Sequence, residues 1–127
     1  MEVYAVRGVP LILLRLEGAV VLAASVLAYI HTGQSWWLFA ILFLTPDLSM
    51  LGYLANPKIG AVAYNAVHSY IAPLLLGMAG VLTRNHLVLA LAVIWTGHIG
   101  FDRVLGYGLK FASGFRDTHL GRIGRVK

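Results

Sequence analysis

His98-Ile-Gly-Phe-Asp102 puts an imidazole and a carboxylate four residues apart, and therefore on one helix face, inside a segment apolar enough to lie in a membrane. Ionisable groups cost roughly 2.5–3.5 kcal/mol each at the centre of a spanning helix and usually mark a function. Asp47 and His68, also set in apolar surroundings, supply a second carboxylate and a second imidazole. Together the four form an N/O ligand set suited to one divalent ion (zinc, manganese or iron), and three or four protein ligands leave a position for water. Such an ion would compensate the buried carboxylates and lower the pKa of a water on it towards ~7, giving a hydrolytic nucleophile.

The elements that must position these residues follow from composition. Of 127 residues, 59% are hydrophobic and 12% charged, and the mean hydropathy is +0.79; soluble domains carry about a quarter charged residues. The chain is therefore expected to be an integral membrane protein. Apolar windows run from Val9 to Ile30, Trp36 to Ala55, Ile59 to Leu82 and Leu87 to Leu109, each near the ~20 residues that cross the hydrocarbon core. His31-Thr-Gly-Gln-Ser35, Asn56-Pro57-Lys58 and Thr83-Arg84-Asn85-His86 separate them with turn chemistry. Loops this short predict antiparallel sequential neighbours, hence an all-α, up-down bundle of four transmembrane helices in a single domain, with a basic tail over 110–127. The first window contains Arg15 and Glu17 and lacks a small-x-small cleavage site, so it is expected to be a retained span and not a signal peptide. With no cysteine in the chain, disulfides, thiolate metal sites and a cysteine nucleophile are excluded.

Arg7, Lys58, Lys110, Arg116, Arg122, Arg125 and Lys127 fall on the side of the termini and second loop, against Arg84 alone on the other. The positive-inside rule then predicts both termini in the cytoplasm and the basic tail against anionic lipid headgroups. The net charge of +5 needs no nucleic acid to explain it, and no groove-reading or base-stacking feature is present. Counted from the cytoplasmic end of each window, Asp47 lies eight residues from Ala55, His68 nine from Ile59, and His98 and Asp102 eleven and seven from Leu109. At 1.5 Å per residue the four share one thin layer and could meet in the bundle core.

Around that layer, Glu17 is the expected general base, and Arg15 or Arg103 the cation that neutralises a phosphate or oxyanion. Asn65 pairs with His68 on one face, as does Tyr64. Pro46 removes a helical hydrogen bond beside Asp47 and releases the carbonyl of Leu42. Gly97 and Gly100 leave room for close approach at His98. Trp36 and Trp37 read as an interfacial aromatic belt. Gly106-Tyr-Gly108-Leu-Lys110 lacks the preceding strand of a phosphate loop, and neither His-Glu-x-x-His nor Gly-x-Ser-x-Gly occurs.

Four motifs in order, Thr45-Pro-Asp-Leu-Ser-Met-Leu-Gly-Tyr53, Tyr64-Asn-Ala-Val-His68, His98 to Lys110 and Asp117-Thr-His-Leu-Gly-Arg122, give a chain that resembles the bacterial membrane family called domain of unknown function 4260 over nearly its whole length. That family name carries no established activity. The chain is also similar, more weakly, to membrane-bound metal-dependent hydrolases, whose Pro-Asp, His-Ser and His-x-x-x-Asp motifs Pro46-Asp47, His68-Ser69 and His98/Asp102 match in order. It departs from them in having Ser49 where a second acid is usual and in lacking an arginine near the first histidine. The resemblance draws attention to the tail, where Lys110, Asp117, His119 and Arg122 are expected at the mouth of the site as a lid or headgroup clamp, with Ser49 and Asn65 beside the ligands.

The leading expectation is thus a metal-dependent hydrolase acting on a lipid or amphiphile at the cytoplasmic leaflet. A small proton-coupled transporter would use the same groups as a relay, and four spans would then call for a homo-oligomer to enclose a pathway. A bis-histidine haem protein, with His68 and His98 at one depth, and a purely structural membrane protein complete the alternatives.

Overall fold

The computed structural model describes residues 5–123; Arg125 and Lys127 of the basic tail lie outside the described residues. Four helical passes, Gly8–Thr32, Trp36–Leu54, Pro57–Leu82 and His86–Leu105, are each long and apolar enough to cross a membrane. Their outer surfaces are apolar, with Val20, Leu54 and Leu82 at 68%, 86% and 81% exposure, while His68, His98, Asp102 and Ser25 are buried. Apolar outside and polar inside suits a bilayer as solvent.

The first pass is one helix, α1 (Gly8–Thr32). Proline divides the second and third. The second consists of α2 (Trp36–Leu42) and a 3-10 helix over Thr45–Leu54. Pro46 has no N–H for the carbonyl of Leu42, and the hydroxyl of Thr45 donates to that oxygen at 2.7 Å instead. The third pass is α3 (Pro57–His68) and α4 (Ile71–Leu82), where a continuous helix is expected from hydropathy. The ring of Pro73 would collide with the carbonyl of Ser69 in an unbroken helix, and Ser69 is extended, at φ −92° and ψ 155°. Turn residues cap the starts: Ser35, Asn56 and Asn85 accept N–H groups of Trp37, Ile59, and Leu87 with Val88.

The last pass, α5 (His86–Leu105), stops four residues short of the Leu109 expected from hydropathy. Gly106, at φ 85°, turns left-handed, and Tyr107 N–H bonds back to the carbonyl of Asp102 at 2.8 Å, closing the helix. The chain beyond folds back as a small hairpin of β1 (Asp117–Thr118) and β2 (Gly121–Arg122), with an isolated bridge from Lys110 to Thr118.

Packing does not follow chain order alone. The principal partner of α1 is α5, at the other end of the chain, and α5 also packs on α4 while α3 packs on the 3-10 helix. Small residues allow the α1–α5 approach: a Cβ on Gly100 would sit 2.8 Å from the carbonyl oxygen of Gly18 and 3.0 Å from the nitrogen of Leu22. At the end of the bundle away from the tail, Tyr29, Ala90 and Ile94 form a closed core with Phe39 and Phe43. Trp36 stacks into this cluster, 4.8 Å from Tyr29, whereas Trp37 is 78% exposed.

Candidate metal centre

The two proline breaks set the cluster. The 3-10 turn after Pro46 carries Asp47, and the stop at Ser69 leaves His68 as the last residue of α3. His98 and Asp102 project from one face of α5, and the four expected ligands meet. His98 Nε2 lies 3.1 Å from Asp47 Oδ1, 3.2 Å from Asp102 Oδ2 and 3.2 Å from His68 Nε2. His68 Nε2 lies 3.3 Å from Asp47 Oδ1 and 3.4 Å from Asp102 Oδ2. One ligand atom from each residue falls within 4.8 Å of all the others. A tetrahedral ion with bonds of about 2.0–2.1 Å has ligand-to-ligand edges of about 3.3–3.4 Å, so five of the six edges already have metal-site dimensions. The group could hold a metal ion.

Proton accounting points the same way. His68 Nδ1 lies 3.0 Å from the carbonyl of Tyr64, which only accepts, so Nδ1 donates and the neutral ring turns its Nε2 lone pair into the cluster. The carboxylate oxygens bring further lone pairs. His98 Nδ1 is buried without a hydrogen-bond partner; with both imidazoles neutral and both carboxylates ionised, at most the single proton of His98 is available to three acceptors. Convergent lone pairs repel, and a cation at their centre would satisfy all of them.

The walls fix the ligands. Tyr64 stacks on His68 with centroids 3.7 Å apart, and its hydroxyl points at Asp102 Oδ2 from 3.5 Å. Phe43 meets the His98 ring edge-on at 5.6 Å. The Arg103 guanidinium donates from Nη2 to the carbonyl of His68 at 3.2 Å, using an acceptor freed by the break before α4. Trp95 Nε1 donates to the carbonyl of Val67 at 2.7 Å and ties α3 to α5. The side chains of His68, His98 and Asp102 are 1%, 0% and 8% exposed, and that of Asp47 is 33% exposed, so Asp47 marks the open side.

The other residues singled out from sequence have separate places. Arg15 donates from Nε to the carbonyl of Val104 at 2.8 Å, capping the last turn of α5. Glu17 is exposed on α1 and lines a cavity with Arg103, apart from the four-residue cluster. Ser49 donates to the carbonyl of Pro46 at 2.8 Å, stabilising the turn that carries Asp47. Asn65 grips the backbone of Lys110, donating to its carbonyl at 2.8 Å and accepting its N–H at 2.6 Å. Lys110 is 4% exposed; its ammonium donates to the carbonyl of Phe115 and lies over the rings of Tyr64 and Phe115. Burial holds its pKa down to about 8, against the opposite pull of Asp102 and Asp47. It is therefore spent on packing the tail and not on the leaflet surface. His119 turns inward and accepts the Leu109 N–H on Nδ1 at 2.9 Å, while Asp117 binds Ser113 at 2.8 Å and lies 3.7 Å from Arg122.

Tyr64 is expected from sequence only as a neighbour of His68 on one helix face, and Tyr70 is not singled out there at all. The spacing of Tyr64 four residues before His68 carried the signal for the first; nothing local marked the second, which meets Arg103 only through the fold, 5.6 Å from ring to guanidinium.

Comparison with curated proteins and with solved structures returns no match. The four ordered motifs that hold Asp47, His68, His98 and the tail all fall within residues 11–123, which match a single family model, and the chain belongs to that family, described as Domain of unknown function (DUF4260).

Proposed function

We propose that the protein is a metal-dependent membrane hydrolase that holds one divalent ion on Asp47, His68, His98 and Asp102 and acts on a lipid or amphiphile at the cytoplasmic leaflet. The observation that carries this reading is the convergence of one nitrogen or oxygen donor atom from each of four residues within 4.8 Å, three of those residues buried. Nitrogen and oxygen donors in a near-tetrahedral set favour zinc, with manganese or iron as alternatives. The ion would supply Lewis acidity and an acidified water. The protein's own residues supply the rest. Tyr64 and the carbonyl it offers hold the His68 ring in one tautomer and one plane. The partly exposed Asp47 gives the side from which water and substrate reach the ion. Arg103, bonded to His68 and half-buried, is the cation that would neutralise a phosphate or oxyanion. The basic residues near the chain ends support a cytoplasmic location for both termini.

The test is elemental analysis of protein purified without chelator and reloaded with zinc, manganese or iron, beside a His98→Ala variant. One ion per wild-type chain, lost in the variant, is the expected outcome, together with metal-dependent release of product from phospholipid vesicles. A wild-type chain that takes up none of the three ions overturns the reading.

A further inference from the structure

A cavity of about 650 Å³ opens between α1 and the end of α5, a size typical of small-molecule sites. Its walls are of two kinds. Leu16 and Val20, 56% and 68% exposed, make an apolar face open to the bilayer. Glu17, Tyr70, Arg103 and His119 bring polar groups to the same space. Two of these carry full charges, and neither Glu17 nor Arg103 forms an ion pair among the described residues. Arg103 donates from Nη2 to the carbonyl of His68, but its Nη1 is buried with no hydrogen-bond partner. The nearest acid in sequence, Asp102, is turned into the four-residue cluster, with its Oδ2 3.4 Å from His68 Nε2 and 3.2 Å from His98 Nε2. A guanidinium and a carboxylate, unpaired at membrane depth and sharing one cavity, are each costly unless something compensates them.

A single ligand bearing both signs would compensate them together. We propose that this cavity binds an aminophospholipid of the surrounding bilayer, its phosphate on Arg103, its primary ammonium on Glu17 and an acyl chain along Leu16 and Val20. A primary ammonium can donate hydrogen bonds to a carboxylate, which a quaternary choline cannot, so the site distinguishes ethanolamine from choline headgroups. The phosphate would accept a charge-assisted hydrogen bond from Arg103 Nη1, the donor left without a partner. The same guanidinium holds the carbonyl of His68, so a headgroup seated here is linked to the cluster through one side chain. The inference deepens the hydrolase reading by naming its substrate class, and rests on that reading only for what becomes of the bound lipid.

Binding is measurable without turnover. Protein purified in detergent would be offered phosphatidylethanolamine, phosphatidylglycerol or phosphatidylcholine of matched chains, and retained lipid counted by native mass spectrometry. The expected result is at least tenfold greater retention of phosphatidylethanolamine than of the other two. Glu17→Gln should erase its advantage over phosphatidylglycerol, Arg103→Gln should lower retention of both, and Arg103→Lys should recover part of the loss. Metal content of Glu17→Gln, read in parallel, reports folding and stays at the wild-type level. Equal retention of the three lipids by wild type, or a preference that survives Glu17→Gln, overturns the proposal. A chain that prefers phosphatidylethanolamine yet holds no metal overturns the hydrolase reading and leaves this one standing; a chain with metal and no preference does the reverse.

Discussion

Tyr64 lies flat on His68, with ring centroids 3.7 Å apart and planes within 6° of parallel. The same residue receives the His68 Nδ1 proton on its carbonyl at 3.0 Å and points its hydroxyl at Asp102 Oδ2 from 3.5 Å. It therefore sets the plane and the tautomer of His68 and touches Asp102, two of the four residues of the candidate centre. Removing partners that orient metal ligands typically costs 10–100-fold in affinity. Tyr64→Phe keeps the stack and the carbonyl, so its metal affinity should fall by no more than about tenfold. Tyr64→Leu loses the stack as well and should fall nearer a hundredfold, with stoichiometry unchanged. Competition against a chromophoric chelator measures both; wild-type affinity in Tyr64→Leu would show that His68 is oriented by other means.

The α1–α5 crossing makes a sharper structural prediction. A Cβ at Gly100 would meet backbone atoms, the oxygen of Gly18 and the nitrogen of Leu22, at 2.8 and 3.0 Å, and backbone cannot rotate away. Gly100→Leu should cost about 1–3 kcal/mol or more by overpacking. It should also lower metal affinity, since α5, which carries His98 and Asp102, would be pushed away from α1. Gly77→Ala is the control: its Cβ would make ordinary contact with Ala92 at 3.5 Å, and inside α4 the change should not lower the melting temperature. Equal melting temperatures for the two variants would refute the close crossing.

Much of this was legible in the sequence, for identifiable reasons. The passes follow from hydropathy, and the four clustered residues from the rule that ionisable groups stand out in apolar segments. The release of the Leu42 carbonyl follows from Pro46 alone, and Thr45 takes it up. Three things were not legible. Pro73 breaks the third pass at Ser69, yet a proline inside an apolar window can bend a helix as readily as interrupt it. The pairing of α1 with α5 depends on Gly18 meeting Gly100, a contact between the two ends of the chain that short loops do not foretell. The tail reads as a basic strip, but its fold depends on Asn65 and Lys110 meeting across 45 residues, and no local pattern encodes that.

His119 gives the tail an acid-sensitive joint. Its Nδ1 accepts the Leu109 N–H at 2.9 Å, its own N–H donates to the Leu109 carbonyl at 2.9 Å, and its carbonyl accepts from Val6 at 2.8 Å. Burial, followed by the charge of Arg103, lowers its pKa below the ordinary 6.5. The docked tail then binds fewer protons than the released one in the window just below that value, so docking is complete above pH 6.5 and weakens as the pH falls through the window. Hydrogen exchange at the Leu109 and His119 amides, corrected for intrinsic rates, should show protection lost on acidification. His119→Gln, which does not titrate, should remove that dependence; an unchanged profile in the variant would assign the acid response elsewhere.

Asn65 closes the other side of the tail, and its amide is matched at both ends, to the carbonyl of Lys110 at 2.8 Å and its N–H at 2.6 Å. Asn65→Ala would leave a backbone donor and acceptor unpaired at a buried residue, at about 1–3 kcal/mol. Since Arg116 is exposed, tail opening can be read as tryptic cleavage there, and the rate should rise roughly 5- to 150-fold if cleavage follows the open population. Lys110→Met keeps the apolar stem and loses only the contacts of the ammonium, so its effect at neutral pH should be smaller. The two also differ in pH dependence. Burial lowers the Lys110 pKa from 10.5 to about 8, so the released tail binds more protons than the docked one between those values, and wild-type docking strengthens as pH rises through them. Lys110→Met should abolish that rise while Asn65→Ala retains it. Cleavage of Asn65→Ala at the wild-type rate would mean that the tail is held by its hairpin and by Val6, and not by the clamp on Lys110.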